Sequence, residues 1–176
     1  MGISSDAEWV DIDNDSDLDL LIVGEWMPPR VIINEGDKFV DITLKSGLED
    51  QIGWWFSIAA ADFDKDGDID LAILWTKANP VYAGNYIQIN LNDGQGNYTD
   101  VTNLIPEKAF QDADKLGWVE PWQLIDMNDD SHMDIAGSRV GDGYNVDPII
   151  YLNDGEGRFE IIQIGSEISG KGRPYA

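Results

Sequence analysis

The chain has 176 residues and a formal net charge of −23, from 34 acidic and 11 basic residues. The length suits a single domain with a substantial core, and the seven Trp and 43% hydrophobic residues are too many for a disordered acidic tail. The negative charge disfavours nucleic acid and anionic membrane surfaces, and the absence of Cys excludes disulfides, thiol nucleophiles and Cys-ligated zinc.

The chain shows neither a membrane-spanning segment nor a secretion signal. No apolar run approaches the roughly 18 residues of a transmembrane helix, so we expect no membrane insertion. The start, MGISSDAEWV, lacks the basic and apolar regions of a signal peptide, so we expect none in this chain. A mature exported protein has the same appearance.

Along the chain, the acidic residues are concentrated in three nine-residue windows, which begin at positions 11, 62 and 126. The windows share the pattern D-x-[DN]-x-D-[GS]-x-x-D and hold 14 of the 34 acidic residues. Without a counter-ion these carboxylates would repel one another and destabilise a compact state. Either the windows are disordered or each one holds a cation, and their apolar flanks argue against disorder.

A tight loop brings side chains at window positions 1, 3, 5 and 9 together, with a backbone carbonyl from position 7 and a sharp turn at position 6. With a single His in the chain, oxygen ligands must dominate, and these favour Ca²⁺. We therefore predict about three Ca²⁺ ions, one in each window. The third site is expected to be the weakest, because Asn128 removes a charge. The candidate metal residues are Asp11, Asp13, Asp15, Asp17, Asp19, Asp62, Asp64, Asp66, Asp68, Asp70, Asp126, Asn128, Asp130, His132 and Asp134.

An EF-hand is the obvious competitor for these windows. It requires a bidentate Glu at position 12 and flanking helices. Position 12 is Ile22, Ile73 or Gly137, which also argues against a dockerin-type loop. The runs after the windows are short and rich in aliphatic residues, which indicates strands.

The predicted elements recur in phase with the windows. One strand leads into each window, a second leaves it, and two more form a hairpin around an Asp-Gly or Glu-Gly turn. An aromatic residue opens the fourth strand in every repeat: Phe39, Tyr98 and Phe159. Units of four antiparallel strands repeated at this spacing are typical of β-propeller blades. The sequence thus predicts an all-β, single partial propeller domain over 1–176, with blade 1 at about 6–43, blade 2 at about 54–102 and blade 3 at about 117–164. A short helix is expected within 106–114.

These repeats resemble the FG-GAP/VCBS type of blade found in integrin α-subunits and many bacterial secreted proteins. The closest likeness is to VCBS-repeat proteins associated with ASPIC/UnbV domains, through Gly-Glu-Trp-Met-Pro at 24–28 and Gly-Trp-Trp followed by an Ala-rich strand and the acidic window at 53–70. The resemblance implies Ca²⁺ in the acidic loops and a shared fold without a shared catalytic site. The chain departs from the consensus of these blades at Ser16, Asn128, Ser131 and His132.

Three blades are too few for a closed propeller, which has about 4–8. The chain is then a piece of a longer propeller, an open three-blade stack, or one protomer of a homo-oligomer. Association of two copies into a six-bladed ring is the preferred hypothesis.

No catalytic residues are expected. His132 lacks a neighbouring nucleophile in any recognisable spacing, and Glu25 and Glu120 are expected to lie between blades and not to act as a glycosidase pair. Trp26 and Trp75 both close a second strand, so packing between blades is expected for them, whereas Trp9, Trp55 and Trp122 are candidates for exposed contacts. The predicted function is a non-catalytic, Ca²⁺-binding scaffold, extracellular or periplasmic, for a protein or glycan ligand. The alternative is a carbohydrate-binding module or the non-catalytic part of a polysaccharide-degrading enzyme.

Overall fold

The computed structural model describes residues 4–48, 53–77, 85–104, 119–140 and 146–163. The described residues form twelve strands and two short 3₁₀ turns, at Thr43–Lys45 and Thr102–Leu104. The strands are β1 (Ser4–Val10), β2 (Asp19–Met27), β3 (Arg30–Asn34), β4 (Phe39–Asp41), β5 (Gly53–Ala61), β6 (Asp70–Lys77), β7 (Asn85–Asn92), β8 (Tyr98–Asp100), β9 (Val119–Ile125), β10 (Asp134–Val140), β11 (Val146–Asn153) and β12 (Phe159–Gln163). The predicted helix at 106–114 lies outside the described residues.

The strands form three antiparallel four-stranded units, in which each strand pairs with its neighbour in the chain. Blade 1 comprises β1–β4, blade 2 comprises β5–β8 and blade 3 comprises β9–β12. The all-β, blade-like prediction is confirmed. Within the described residues no helix is long and apolar enough to cross a membrane.

The second strand of blade 1 continues beyond the aliphatic run that follows the first window. It ends at Met27, one residue after the Trp26 that was expected to close it. Long-range pairing extends it, because Gly24 pairs with Ser4 and Glu25 with Trp54 of blade 2. The β2–β5 register shifts at Trp26, whose φ is 59°. This bulge belongs to the link between blades 1 and 2, so local pattern alone did not reveal it.

The core lies between the blades. Blade 2 sends alternate residues to its two sides: Ile58 and Ile73 join the core shared with blade 1, while Ala59 and Ala72 join the core shared with blade 3. A strand covered on both faces must be apolar at successive positions. This arrangement explains the uninterrupted apolar runs of β5 and β6.

Candidate metal centre

All three acidic windows adopt the same loop between the first and second strands of a blade. Positions 4 and 6 have a left-handed backbone in every case: Asn14 (φ 60°), Ser16 (74°), Lys65 (61°), Gly67 (97°), Asp129 (60°) and Ser131 (68°). The turn at position 6 was predicted from Gly67. The turn at position 4 was missed, although Asn and Asp, which tolerate this conformation, occupy it in two of the three windows.

The first carboxylate of each window closes its loop by accepting backbone N–H groups. Asp11 accepts from Asp15 at 3.1 Å and from Ser16 at 3.0 Å. Asp62 accepts from Gly67 at 3.1 Å. Asp126 repeats the first case, accepting from positions 5 and 6 at 3.1 and 2.9 Å. These bonds gather the loop around its first side chain.

The ninth position holds a fully buried aspartate in every window: Asp19, Asp70 and Asp134. One oxygen of each accepts the N–H of position 2, at 2.7, 2.8 and 2.9 Å respectively. The other oxygen accepts the N–H of the Asn that ends the third strand, at 2.7, 2.8 and 2.8 Å. Position 9 was predicted only as a ligand; the structure also makes it the tie between the loop and the third strand. Burial raises the pKa of Asp70 to about 7, opposed by its two backbone hydrogen bonds.

In the first two windows, carboxylates converge in a way that fits a cation. Oxygens of Asp11, Asp13 and Asp15 lie within 4.8 Å of one another, and so do those of Asp62, Asp64 and Asp70. Within these groups, one oxygen of Asp13 and one of Asp62 are buried without any hydrogen-bond donor.

The electrostatics of the first two loops also favour a bound cation. Burial, followed by the neighbouring carboxylate of Asp15, raises the pKa of Asp13. Burial, followed by the carboxylate of Asp66, raises the pKa of Asp64 in the same manner. Both shifts mean that the ionised loops are disfavoured, since like charges are held together in a partly desolvated place. A hard divalent cation would relieve both costs and supply the missing partner for the orphaned oxygens.

The third window is organised differently. Among the described residues it contains no comparable group of three ligands. The side-chain amide of Asn128 donates to Asp130 at 2.8 Å, which occupies an oxygen that a cation would use.

Side chains at position 7 lie over the hairpin turn between the third and fourth strands. Asp68 lies against Gly94, where an added Cβ would come within 2.7 Å of its carboxylate oxygens. The ring of His132 covers Gly155 so closely that no Cβ could be added there, and its Nδ1 is buried without a partner. The ring therefore fills a structural space over the turn. The prediction that position 7 supplies a backbone carbonyl stays a prediction.

A further set of residues, missed by the sequence reasoning, joins each loop to the next blade. The Asn at the end of the third strand was interpreted only as a turn residue. In the structure the amide of Asn92 donates to the carbonyl of Ile12 in the first loop, at 2.8 Å. The amide of Asn153 donates to the carbonyl of Phe63 in the second loop, also at 2.8 Å. The available signal was that Asn occupies this place in all three repeats.

The tryptophan expectations have mixed outcomes. Trp9 is exposed, as predicted, and its ring meets Phe39 edge-on at 6.3 Å. Trp75 is half-buried and packs against the core between blades 1 and 2. Trp26 is 54% exposed at the bulge of β2, so its packing between blades stays a prediction. The side chains of Trp55 and Trp122, like that of Glu120, lie outside the described part of the structure.

Comparison with known families supports the repeat. Residues 11–73 match the FG-GAP-like repeat, over a little more than a third of the chain. The matched segment runs from the first aspartate of loop 1 through loop 2 and into β6, and so covers a full loop-to-loop period. The resemblance to FG-GAP-type blades is confirmed over these residues. A search of curated proteins gave no match.

Proposed function

We propose that this chain is a non-catalytic β-propeller scaffold that binds Ca²⁺ in its acidic loops and presents a stable surface to a protein or glycan outside the cytoplasm. The carrying observation is the convergence of three carboxylates in each of loops 1 and 2, together with a buried oxygen that has no donor. The FG-GAP-like repeat at 11–73 supports the scaffold part of the proposal.

The ion's role follows from where the loops lie. Each loop connects the first and second strands of a blade, and through its ninth residue it is tied to the third strand. A bound Ca²⁺ would neutralise the carboxylates, and the protein's own hydrogen bonds already hold the loop in shape. Since the unfolded chain has no such arrangement, Ca²⁺ would bind the folded state selectively and stabilise it.

The proposed location rests on the proposed metal. Outside cells the Ca²⁺ concentration is high enough to keep even extracellular sites of modest affinity occupied. We therefore place the protein in an extracellular or periplasmic compartment.

The proposal is tested by isothermal titration calorimetry and thermal melting in Ca²⁺ and in EGTA. Asp64→Asn keeps the shape of a predicted ligand while removing its charge, and Asp37→Asn makes the same charge change at an exposed hairpin residue of blade 1. We expect Asp64→Asn to remove one tight site and Asp37→Asn to leave the binding isotherm unchanged. Asn128→Asp should strengthen the weakest site. An unfolding temperature identical in Ca²⁺ and in EGTA would sink the metal proposal.

A further inference from the structure

The packing of one blade on the next follows the same rule twice within this chain. Between blades 1 and 2, Asn92 donates to the carbonyl of Ile12, and the aromatic residue that opens β8, Tyr98, is only 5% exposed. The backbone N–H of Tyr98 also donates to the carbonyl of Ser46, at 2.7 Å. A turn and an aromatic side chain of the later blade thus contact the acidic loop and its surroundings in the earlier one.

Between blades 2 and 3 the equivalent residues make the equivalent contacts. Asn153 donates to the carbonyl of Phe63, and Phe159, which opens β12, is 2% exposed. The rings of Phe159 and Phe63 meet edge-to-face, with centroids 5.6 Å apart. In both cases the earlier blade contributes position 2 of its loop, and the later blade contributes an Asn and an aromatic residue.

Among the described residues, no blade packs on the face of blade 1 that is turned away from blade 2, and this end face carries the half of the contact that belongs to a later blade. Phe39 opens β4 in the place of Tyr98 and Phe159, but it is 57% exposed. Asn34 occupies the place of Asn92 and Asn153, and its amide donates to Leu18 within its own blade at a long 3.3 Å.

The other end face, on the side of blade 3 turned away from blade 2, is likewise not covered by any described blade, and it carries the other half. Met127 stands at position 2 of its loop, where Ile12 and Phe63 are completely buried, and it is 44% exposed. Ile125 and Ile162 are exposed apolar residues of the flanking strands β9 and β12. Trp9 and Phe39 lie on the end face of blade 1, and Ile125, Met127 and Ile162 lie on the end face of blade 3. These five are among the nine large exposed hydrophobic residues of the described chain.

We propose that the two end faces bind each other between copies of this chain, so that blade 3 of one copy receives blade 1 of the next. Phe39 would pack on Met127 of the second copy, and the amide of Asn34 would donate to the Met127 carbonyl, which reproduces the contact already made twice within the chain. The association is head-to-tail, because the two faces differ, and such an interface closes only when the ring is complete. Two copies give six blades, within the range of about 4–8 that propellers adopt, whereas three copies give nine. The proposal depends on packing alone and stands or falls independently of the metal proposal.

This association is tested by light scattering after size-exclusion chromatography, at tens of micromolar protein. The buffer contains physiological salt, because salt screens the electrostatic repulsion between two acidic copies. The wild type is expected at twice the monomer mass of 19.6 kDa. Phe39→Asp and Met127→Asp each place a charge on one end face, and each variant alone is expected as a monomer. Met133→Asp is the matched control, since Met133 is also 44% exposed. The residues equivalent to Met127 in the first two loops, Ile12 and Phe63, belong to the cores between blades, whereas those equivalent to Met133, Leu18 and Ile69, belong to neither core.

Mixing the two interface variants distinguishes head-to-tail pairing from other arrangements. The Phe39→Asp protein retains an intact blade 3 face and the Met127→Asp protein an intact blade 1 face, so an equimolar mixture should regain a dimer through one interface. Recovery also shows that both variants are folded. The proposal is overturned if the wild type stays at 19.6 kDa up to the highest concentration, if Met133→Asp dissociates the dimer equally, or if the mixture stays monomeric.

Discussion

Replacing Asn92 by alanine removes a side chain that makes two buried hydrogen bonds. Its amide donates to the Ile12 carbonyl at 2.8 Å, and its Oδ1 accepts the N–H of Gly96 at 3.1 Å. Ile12 and Gly96 are both buried, so neither group left behind reaches water readily. The substitution therefore acts on the junction between blades 1 and 2.

The magnitude follows from the two groups that lose their partners. An unpaired buried polar group costs about 1–3 kcal/mol, and partial rehydration places each near the lower end. We expect Asn92→Ala to lower the free energy of unfolding by about 2–3 kcal/mol. At roughly 2–4 °C per kcal/mol for a domain of this size, the unfolding temperature should fall by about 4–12 °C.

The assay is urea denaturation and thermal melting, with Asn97→Ala as the control. Asn97 lies in the same turn, and its amide donates to Asp93 at 2.8 Å in an exposed place. Its loss should cost less than about 1 kcal/mol. The slope of unfolding free energy against denaturant should stay constant in both variants. Equal destabilisation by the two substitutions would refute the assignment of Asn92 as a buried link between blades.

Other predictions concern the remaining junctions and the ions. Gly155→Ala should destabilise the fold strongly, because its φ of 77° disfavours a side chain and the ring of His132 fills the space that a Cβ would need. Gly36→Ala has a similar φ of 80° but open space around it, so it should lower the free energy of unfolding by only about 1 kcal/mol. Urea denaturation of the two variants measures the difference. Phe159→Ala should lower the free energy of unfolding by about 3–5 kcal/mol, and Phe39→Ala by far less in dilute, monomeric protein. Similar losses in calorimetry would contradict the burial of Phe159 between blades 2 and 3. EGTA should lower the unfolding temperature, and native mass spectrometry should show the third ion lost first as Ca²⁺ is withdrawn.

Much of the fold could be predicted from the sequence because its determinants are local. The acidic windows, the Asp-Gly turns and the aromatic residue after each turn recur in register, and each is a short-range signal for a loop, a hairpin or a strand start. The sharp turn at position 6 was likewise predictable, because Gly67 marks a left-handed backbone. Four strands per repeat and an all-β blade followed from these signals.

The candidate site was predictable only in part. Composition and spacing identified the ligand types, but the hydrogen bond that Asp70 accepts from the backbone of Asn92 depends on where β7 ends relative to the second loop. The exposure of Trp26 depends on a bulge at the pairing between two blades. Neither feature has a local pattern, since each is decided by strands that are distant in sequence.

Phe39, Tyr98 and Phe159 show most clearly what tertiary structure decides. The sequence placed all three at the start of a fourth strand, and the structure places them there. Yet Tyr98 and Phe159 are buried, whereas Phe39 is exposed. The local chemistry of the three positions is equivalent, and the burial of each ring depends on whether an earlier blade covers it. Local sequence signals are therefore enough to specify a blade, whereas the packing of one blade on another selects which residues form the core.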